Sequence, residues 1–217
     1  MSDAKQKPDT RTAFLDEAER LFAEHGYAGM RIRDIANAAN ANLSALHYYW
    51  GNKEALIQEL CERRMGPVVE ERLRRFALLE RSLPEKRQDR IAALLRDHLE
   101  PFAELLAASP REQFQSFYTR MAADPAPEVR EVSTRLMEEM SRQFVRMLRA
   151  MCDHLDDAAF FWRLNGVLGT VLHVQAFGFR TRRYVEITEE RADLAEGIDE
   201  IVRFLTAALI APPARPG

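Results

Sequence analysis

The sequence predicts an all-α protein, and three observations carry that reading. Apolar residues recur at three- and four-residue spacing along most of the chain. No segment alternates apolar and polar residues with period two between turn residues, as a half-buried strand would. Glycine, proline and asparagine stops at Gly26, Asn40-Ala41-Asn42, Gly51-Asn52, Gly66-Pro67, Pro84, Pro110 and Asp124-Pro125-Ala126-Pro127 cut the chain into helix-sized pieces.

Residues 1–8 are polar and read as a disordered arm, with Lys5 and Lys7 either solvated or reaching a phosphate or minor groove. Asp9 or Thr10 can cap a first helix that buries Phe14, Ala18, Leu21 and Phe22; Gly26 ends it, and Tyr27 packs under the next two helices. The second helix carries Ile32, Ile35, Ala36 and Ala39 on its inner face and turns Arg33 and Asn37 outward. Asn40 tolerates a left-handed backbone, and Asn42 can cap the third helix through the amide of Ala45. That third helix, Leu43 to Tyr49, buries Leu43 or Leu46 together with Trp50. Its free face carries Ser44, Ala45, His47 and Tyr48, small and hydrogen-bonding groups of the kind a major-groove reader needs. Two helices joined this tightly form a helix–turn–helix, expected over 9–52.

Lys53 opens a long helix where a cation opposes the dipole, which points to an outside partner such as a DNA phosphate. Leu56, Ile57 and Leu60 continue it to Gly66-Pro67, where a kink or break is expected. A helix from Pro84 places Ile91, Leu94, Leu95, His98 and Leu99 on one side, and Pro101 interrupts or bends it before Phe102. Pro110 opens a short aromatic helix with Phe114, Phe117, Tyr118 and Met121. From Glu128 to about Cys152, Val129, Val132, Leu136, Met140, Phe144, Met147 and Met151 keep one register. For these aromatic and methionine stripes core packing is the first reading and a ligand cavity the second.

From Ala158 to Gly178 the chain is apolar nearly all round, including Phe161, Trp162, Leu164, Leu168, Leu172 and His173, with Gly166 and Gly169 allowing close approach. The final helix, Glu189 to Ile210, offers Leu194, Ile198, Ile201 and Leu205 as a second stripe. Together they read as a dimer interface. Residues 53–211 thus form a helical regulatory and dimerisation domain, and 212–217 a disordered tail.

The discontinuous run Gly26-Tyr27, Arg33-Asp34-Ile35-Ala36, Ala39, Leu46, Tyr48, Trp50, Lys53, Glu54 and Leu56 resembles the DNA-binding domain of TetR-family bacterial transcriptional regulators. The resemblance implies an all-α fold, a phosphate contact from Tyr48 and another from Lys53. Two departures stand out. Met30 and Arg31 occupy the place of the family's capping Thr or Ser, so a cap worth about 1 kcal/mol is either missing or supplied elsewhere, and Asn40 replaces the usual turn glycine. The longer run Asn42 to Gln58, with Met65-Gly66-Pro67, Phe161-Trp162-Arg163 and Leu168-Gly169, is similar to the subgroup of fatty-acid-responsive repressors, which implies an acyl effector.

The net charge of −3 announces no nucleic-acid binder, so a basic footprint must be local: Lys5, Lys7, Arg11, Arg31, Arg33 and Lys53 all fall in the head. The two cysteines, Cys61 and Cys152, stand in no paired or metal-ligand spacing and read as reduced core thiols. No apolar run reaches membrane-span length and the N-terminus lacks a signal-peptide pattern, so a cytoplasmic protein is expected. The five histidines show no i, i+4 pair, and no phosphate loop or nucleophile elbow occurs. No metal, cofactor or enzyme chemistry is therefore expected.

The reading is a homodimeric regulator, a repressor in the first instance, binding a palindromic operator. Leu43 to Tyr49 lie in the major groove; Arg31, Arg33, Asn42, Tyr48 and Lys53 hold the backbone, and Ser44, Ala45 and His47 reach base edges, with a phosphate contact or simple exposure also open for His47. An apolar effector is expected among Phe102, Phe117, Met121, Met140, Phe144, Trp162 and His173. The alternatives are a dimeric regulator without an effector, and an all-α enzyme or interaction module with an incidental helix–turn–helix.

Overall fold

The computed structural model describes residues 9–108, 111–177, 181, 184, 185, 188 and 193–213, with the backbone alone for 111–113. Among the described residues the continuous helices are α1 (Thr10–Gly29), α2 (Ile32–Ala38), α3 (Leu43–Trp50), α4 (Lys53–Arg81), α5 (Arg87–Ala108), α6 (Arg111–Ala123), α7 (Pro127–Met151), α8 (Asp157–Leu172) and α9 (Leu194–Ile210), with a π-helical turn, His173–Phe177, after α8. No strand occurs among the described residues, and no helix among them is long and apolar enough to cross a membrane. Lys5, Lys7, the helix starts at Pro110 and Glu189, Gly178 and residues 214–217 lie outside the described residues.

The chain divides into two compact units. The first holds residues 1–66 and 112–136, the second 67–111 and 137–217. This differs from the linear boundary expected at 52/53, because most of α6 and the start of α7 group with the head.

In the first unit α1 buries the stripe Phe14, Ala18, Leu21 and Phe22. Phe22 meets Phe117 of α6 with ring centroids 5.2 Å apart. Gly26 interrupts α1 at φ 69°, ψ −178°, a conformation open essentially to glycine, and a further short turn runs on to Gly29. Tyr27 is buried just after it, as expected. Glu19 of α1, fully buried, pairs with Arg64 of α4.

In the second unit α9 packs along α5, burying Leu194, Ile198, Val202, Leu205 and Leu209. Arg96 of α5 bridges to Asp199 of α9 at 2.5 Å. Arg163 of α8 donates to the carbonyls of Ala208, Leu209, Ala211 and Pro212, so a cation satisfies the open end of α9. His98 lies between Phe76 and Phe144, 4.6 Å from the latter's ring centre, with Nδ1 buried and unpartnered. Burial, reinforced by the Arg72 charge, holds its imidazole well below the ordinary histidine pKa.

Of the kink or break expected at Pro67 and the interruption or bend expected at Pro101, the break does not occur, and the helix start expected at Pro84 moves. Pro67 lies inside α4 and Pro101 inside α5, and both helices continue through them. Each proline removes one donor locally, while the buried residues on both sides, Met65 and Val68, Leu99 and Phe102, keep the helix in place. Pro84 stands ahead of α5, which begins at Arg87 after Lys86 accepts from the amides of Asp89 and Arg90.

Candidate nucleic-acid interface

The helix–turn–helix is built by local chemistry. Asn40 takes φ 48°, the left-handed turn position expected of it. Asn42 caps α3, although its Oδ1 accepts from the amide of Ser44 at 2.9 Å; Ala45 donates to the Asn42 carbonyl instead. Its side-chain nitrogen remains as a donor. Arg31 precedes α2 without a side-chain cap, in keeping with the missing hydroxyl there. Gly51, at φ 69°, closes α3, and Asn52 caps α4 at the amide of Ala55.

Between Leu43 and Leu46, Leu46 is the fully buried residue and Leu43 is half-buried. Trp50 is pinned twice: its indole N–H donates to Glu59 at 2.6 Å, and its ring meets Phe14 of α1 edge-on at 6.0 Å. With those anchors beneath, Ser44, His47 and Tyr48 are exposed, Tyr48 to 85%, and Ala45 is half-buried beside them. His47 Nδ1 lies 3.1 Å from the Gly51 carbonyl; a carbonyl only accepts, so Nδ1 donates in that contact and Nε2 is not engaged by it. Arg31 and Arg33 are exposed at the start of α2.

Lys53 corrects the expectation of an outward cation. Its Nζ donates to the Tyr27 carbonyl and lies 4.1 Å from the centre of that ring. The partner that offsets the unfavourable dipole is therefore within the chain, and burial lowers the ammonium's pKa against the opposing pull of Glu54, Glu128 and Asp124. The Tyr27 hydroxyl donates to Glu54 at 3.1 Å; burial and then that carboxylate push the phenol above its usual range.

A second network meets the same turn. Asp124, at the end of α6, accepts the amide of Tyr27 at 2.8 Å through Oδ2 and the amide of Ala126 at 3.0 Å through Oδ1. Arg120 donates to the carbonyl of Glu24 at 3.1 Å and, more weakly, of Ala23 at 3.5 Å. No motif announced these contacts, because the partners are some 97 residues apart.

The expected effector residues divide between the two units. Phe102, Met140 and Phe144 are buried in the second unit, whereas Phe117 and Met121 belong to the first. Trp162 is 71% exposed, and exposed His173 has Nε2 3.0 Å from the Thr181 hydroxyl. Trp162 and His173 are thus corrected from lining to surface: both lie on the side of their segment opposite buried Phe160, Val167 and Val171.

The expected dimer residues also separate. Phe161, Leu168 and Leu172 are exposed large apolar groups on α8, Leu164 is half-buried, and among the described residues no other element approaches within 4 Å of where a Cβ would stand at Gly166 or Gly169. On α9, Leu194, Ile198 and Leu205 are buried within the chain and Ile201 is half-buried. The α9 stripe is corrected from interface to core, since it faces α5. The exposed large apolar groups of α9 are Phe204 and, at its last residue, Ile210; sequence periodicity missed Phe204 because it lies off the stripe.

Residues 14–60 match the family model for bacterial regulatory proteins of the tetR family, and residues 96–208, more than half of the chain, match the tetracyclin repressor-like C-terminal domain. The transcriptional repressor KstR2 of Rhodococcus jostii is 38% identical over 58 residues, 27% of this chain and 28% of that protein. The repressor AcnR of Corynebacterium glutamicum is 38% identical over 72 residues, 31% and 38% of the two chains. The chain thus matches well under two thirds of these relatives' lengths. Among solved structures, the fatty acid degradation regulator FadR of Bacillus halodurans aligns with TM-score 0.61 at 16% identity, over 90% of this chain and 97% of that one. FadR of Bacillus subtilis in complex with stearoyl-CoA aligns with TM-score 0.59 at 16% identity, over 91% and 98%. At such identity the likeness is one of fold. Both matched models and both curated relatives are of regulatory proteins, not enzymes, and the chain belongs to the TetR family of bacterial regulatory proteins.

Proposed function

We propose that the chain is a DNA-binding transcriptional repressor that acts as a homodimer on a palindromic operator and is released by a small apolar effector. The observation that carries the DNA-binding part is the outward row Ser44, His47 and Tyr48 on a helix anchored from beneath by Leu46 and Trp50. Ser44, Ala45 and His47 read base edges, while Arg31, Arg33, Asn42 and Tyr48 hold phosphates. Lys53 joins them only when a phosphate outcompetes the Tyr27 carbonyl.

Dimerisation is supported by the exposed row Phe161, Trp162, Leu168 and Leu172 on α8 and by Phe204 on α9, apolar area that a monomer would leave in water. The effector reading rests on the aromatic- and methionine-rich interior of the second unit, with Phe102, Met140 and Phe144 as the retained candidates, and on the sequence resemblance to acyl-responsive repressors. Release requires the effector to favour the DNA-incompetent state by a few kcal/mol.

Gel shifts on a duplex enriched from a random library by the full chain test both parts. A specific complex weakened by a panel of acyl-CoA compounds is the expected result. A complex indifferent to the whole panel removes the acyl effector and leaves the dimeric DNA-binding reading.

A further inference from the structure

We infer that Asp124 and Arg120, at the end of α6, position the helix–turn–helix by clamping the turn at which α1 breaks; the inference rests on the DNA-binding reading above. Where Gly26 leaves helical geometry, the last carbonyls of the regular part of α1 and the amide of Tyr27 lose their helical partners. The guanidinium of Arg120 meets the carbonyls of Ala23 and Glu24, and the carboxylate of Asp124 meets the amide of Tyr27 at 2.8 Å in a buried setting. A cation at the carbonyl end and an anion on the amide are the sign pairing that a broken helix end favours.

The fit between the two sides is close. A Cβ at position 26 would stand 2.7 Å from Asp124 Oδ2, so the carboxylate reaches the Tyr27 amide only because residue 26 has no side chain. From its own side Asp124 is held by the Ala126 amide at 3.0 Å, so the carboxylate is fixed by the α6–α7 turn.

Tyr27 then distributes the clamp. Its carbonyl takes the Lys53 ammonium and its hydroxyl donates to Glu54, which ties the same residue to the first turn of α4. Helix α1, on the other side, carries α3 through the Phe14 contacts with Tyr49 and Trp50. Asp124 therefore reaches both neighbours of the reading helix through one residue. It also joins the two stretches that match separate family models, 14–60 and 96–208.

The test compares Asp124→Ala with Asp124→Asn in the full chain, using the duplex enriched by the wild type. Asn keeps an acceptor oxygen for the Tyr27 amide; Ala does not. At a temperature where circular dichroism shows every variant folded, Asp124→Ala binds about tenfold more weakly, the scale of one hydrogen bond to a charged group, and Asp124→Asn stays closer to wild type. Peptides from α2 and α3 exchange amide hydrogen faster in Asp124→Ala than in wild type, a change that a mere cap of the α6–α7 turn would not produce. Wild-type affinity together with wild-type exchange in folded Asp124→Ala overturns the inference. Should that variant not fold, Arg120→Gln at its half-buried site is read in the same two assays, with the same directions expected and the same null result overturning it. If the wild type enriches no duplex, it is the DNA-binding reading that fails; the clamp is then decided by exchange alone, upheld by faster exchange in α2 and α3 and overturned by none.

Discussion

Replacing Arg64 with Met leaves Glu19 without its partner in the interior of the first unit. Glu19 is 0% exposed, the Arg64 side chain is 19% exposed, and the pair joins α1 to α4. Two atoms already lack partners, Glu19 Oε2 and Arg64 Nε, so the site has no spare donor to take over. Breaking a buried pair by removing one member costs about 3–5 kcal/mol. For a chain of this size that is a fall of about 6–20 °C in melting temperature, at about 2–4 °C per kcal/mol. The neighbouring pair Arg63–Asp16, at 2.6 Å but with side chains 34% and 50% exposed, supplies the contrast: Arg63→Met costs about 0–1 kcal/mol. Urea unfolding at neutral pH followed by α-helical circular dichroism measures both. The double variant Glu19→Leu/Arg64→Met should recover most of the loss, because two apolar groups remove both charges together. A loss below about 1 kcal/mol for Arg64→Met, no larger than that of the exposed pair, would refute the burial argument.

Three further outcomes are expected in the second unit. The folded chain keeps His98 neutral well below the ordinary value, so its stability is fullest above the unfolded pKa of about 6.5 and declines as pH falls and the unfolded chain takes the proton. His98→Phe, set between Phe76 and Phe144, should flatten that decline by up to about 1.4 kcal/mol per pH unit between pH 6.5 and 5, read from urea midpoints across that range. Glu71, hydrogen-bonded by Arg74 and Arg75, is lowered from 4.5 to about 2, so its contribution is present above pH 4.5 and lost as pH falls toward 2. Because the pair is in contact with solvent, Glu71→Gln should remove no more than about 1 kcal/mol of acid sensitivity, measured by melts at pH 5 and 3. On the proposed homodimer, Trp162→Arg with Phe204→Arg should shift sedimentation velocity from dimer toward monomer while leaving the helical signal unchanged; a dimer unaltered by the pair would place the interface elsewhere, and a monomeric wild type would remove the dimer proposal.

What the sequence disclosed was what local chemistry decides. The Asn40 turn, the Asn42 cap, the outward Arg33 and the buried Leu46 and Trp50 all depend on residues within a few positions of one another, and all were legible. The intrachain partner of Lys53 was not legible, because the dipole argument is local and cannot see Tyr27, 26 residues earlier. Periodicity identified the apolar face of α9 correctly, yet Leu194, Ile198 and Leu205 would look the same whether covered by α5 or by another subunit. Trp162 and His173 failed for the complementary reason: a helix apolar all round does not say which side is covered. Pro67 and Pro101 show packing overriding a breaker, since buried neighbours on both sides outweigh one lost hydrogen bond.

The claim that α3 reads DNA is tested most directly by enriching duplexes from a random library with the full wild-type chain and repeating the enrichment with Ser44, His47 and Tyr48 all changed to Ala. The expected result is a palindromic site whose half-sites lie about one helical turn apart for the wild type, and loss of that site by a variant that still folds and dimerises. The same site recovered at the same affinity by the triple variant, or no site from the wild type, would overturn the claim.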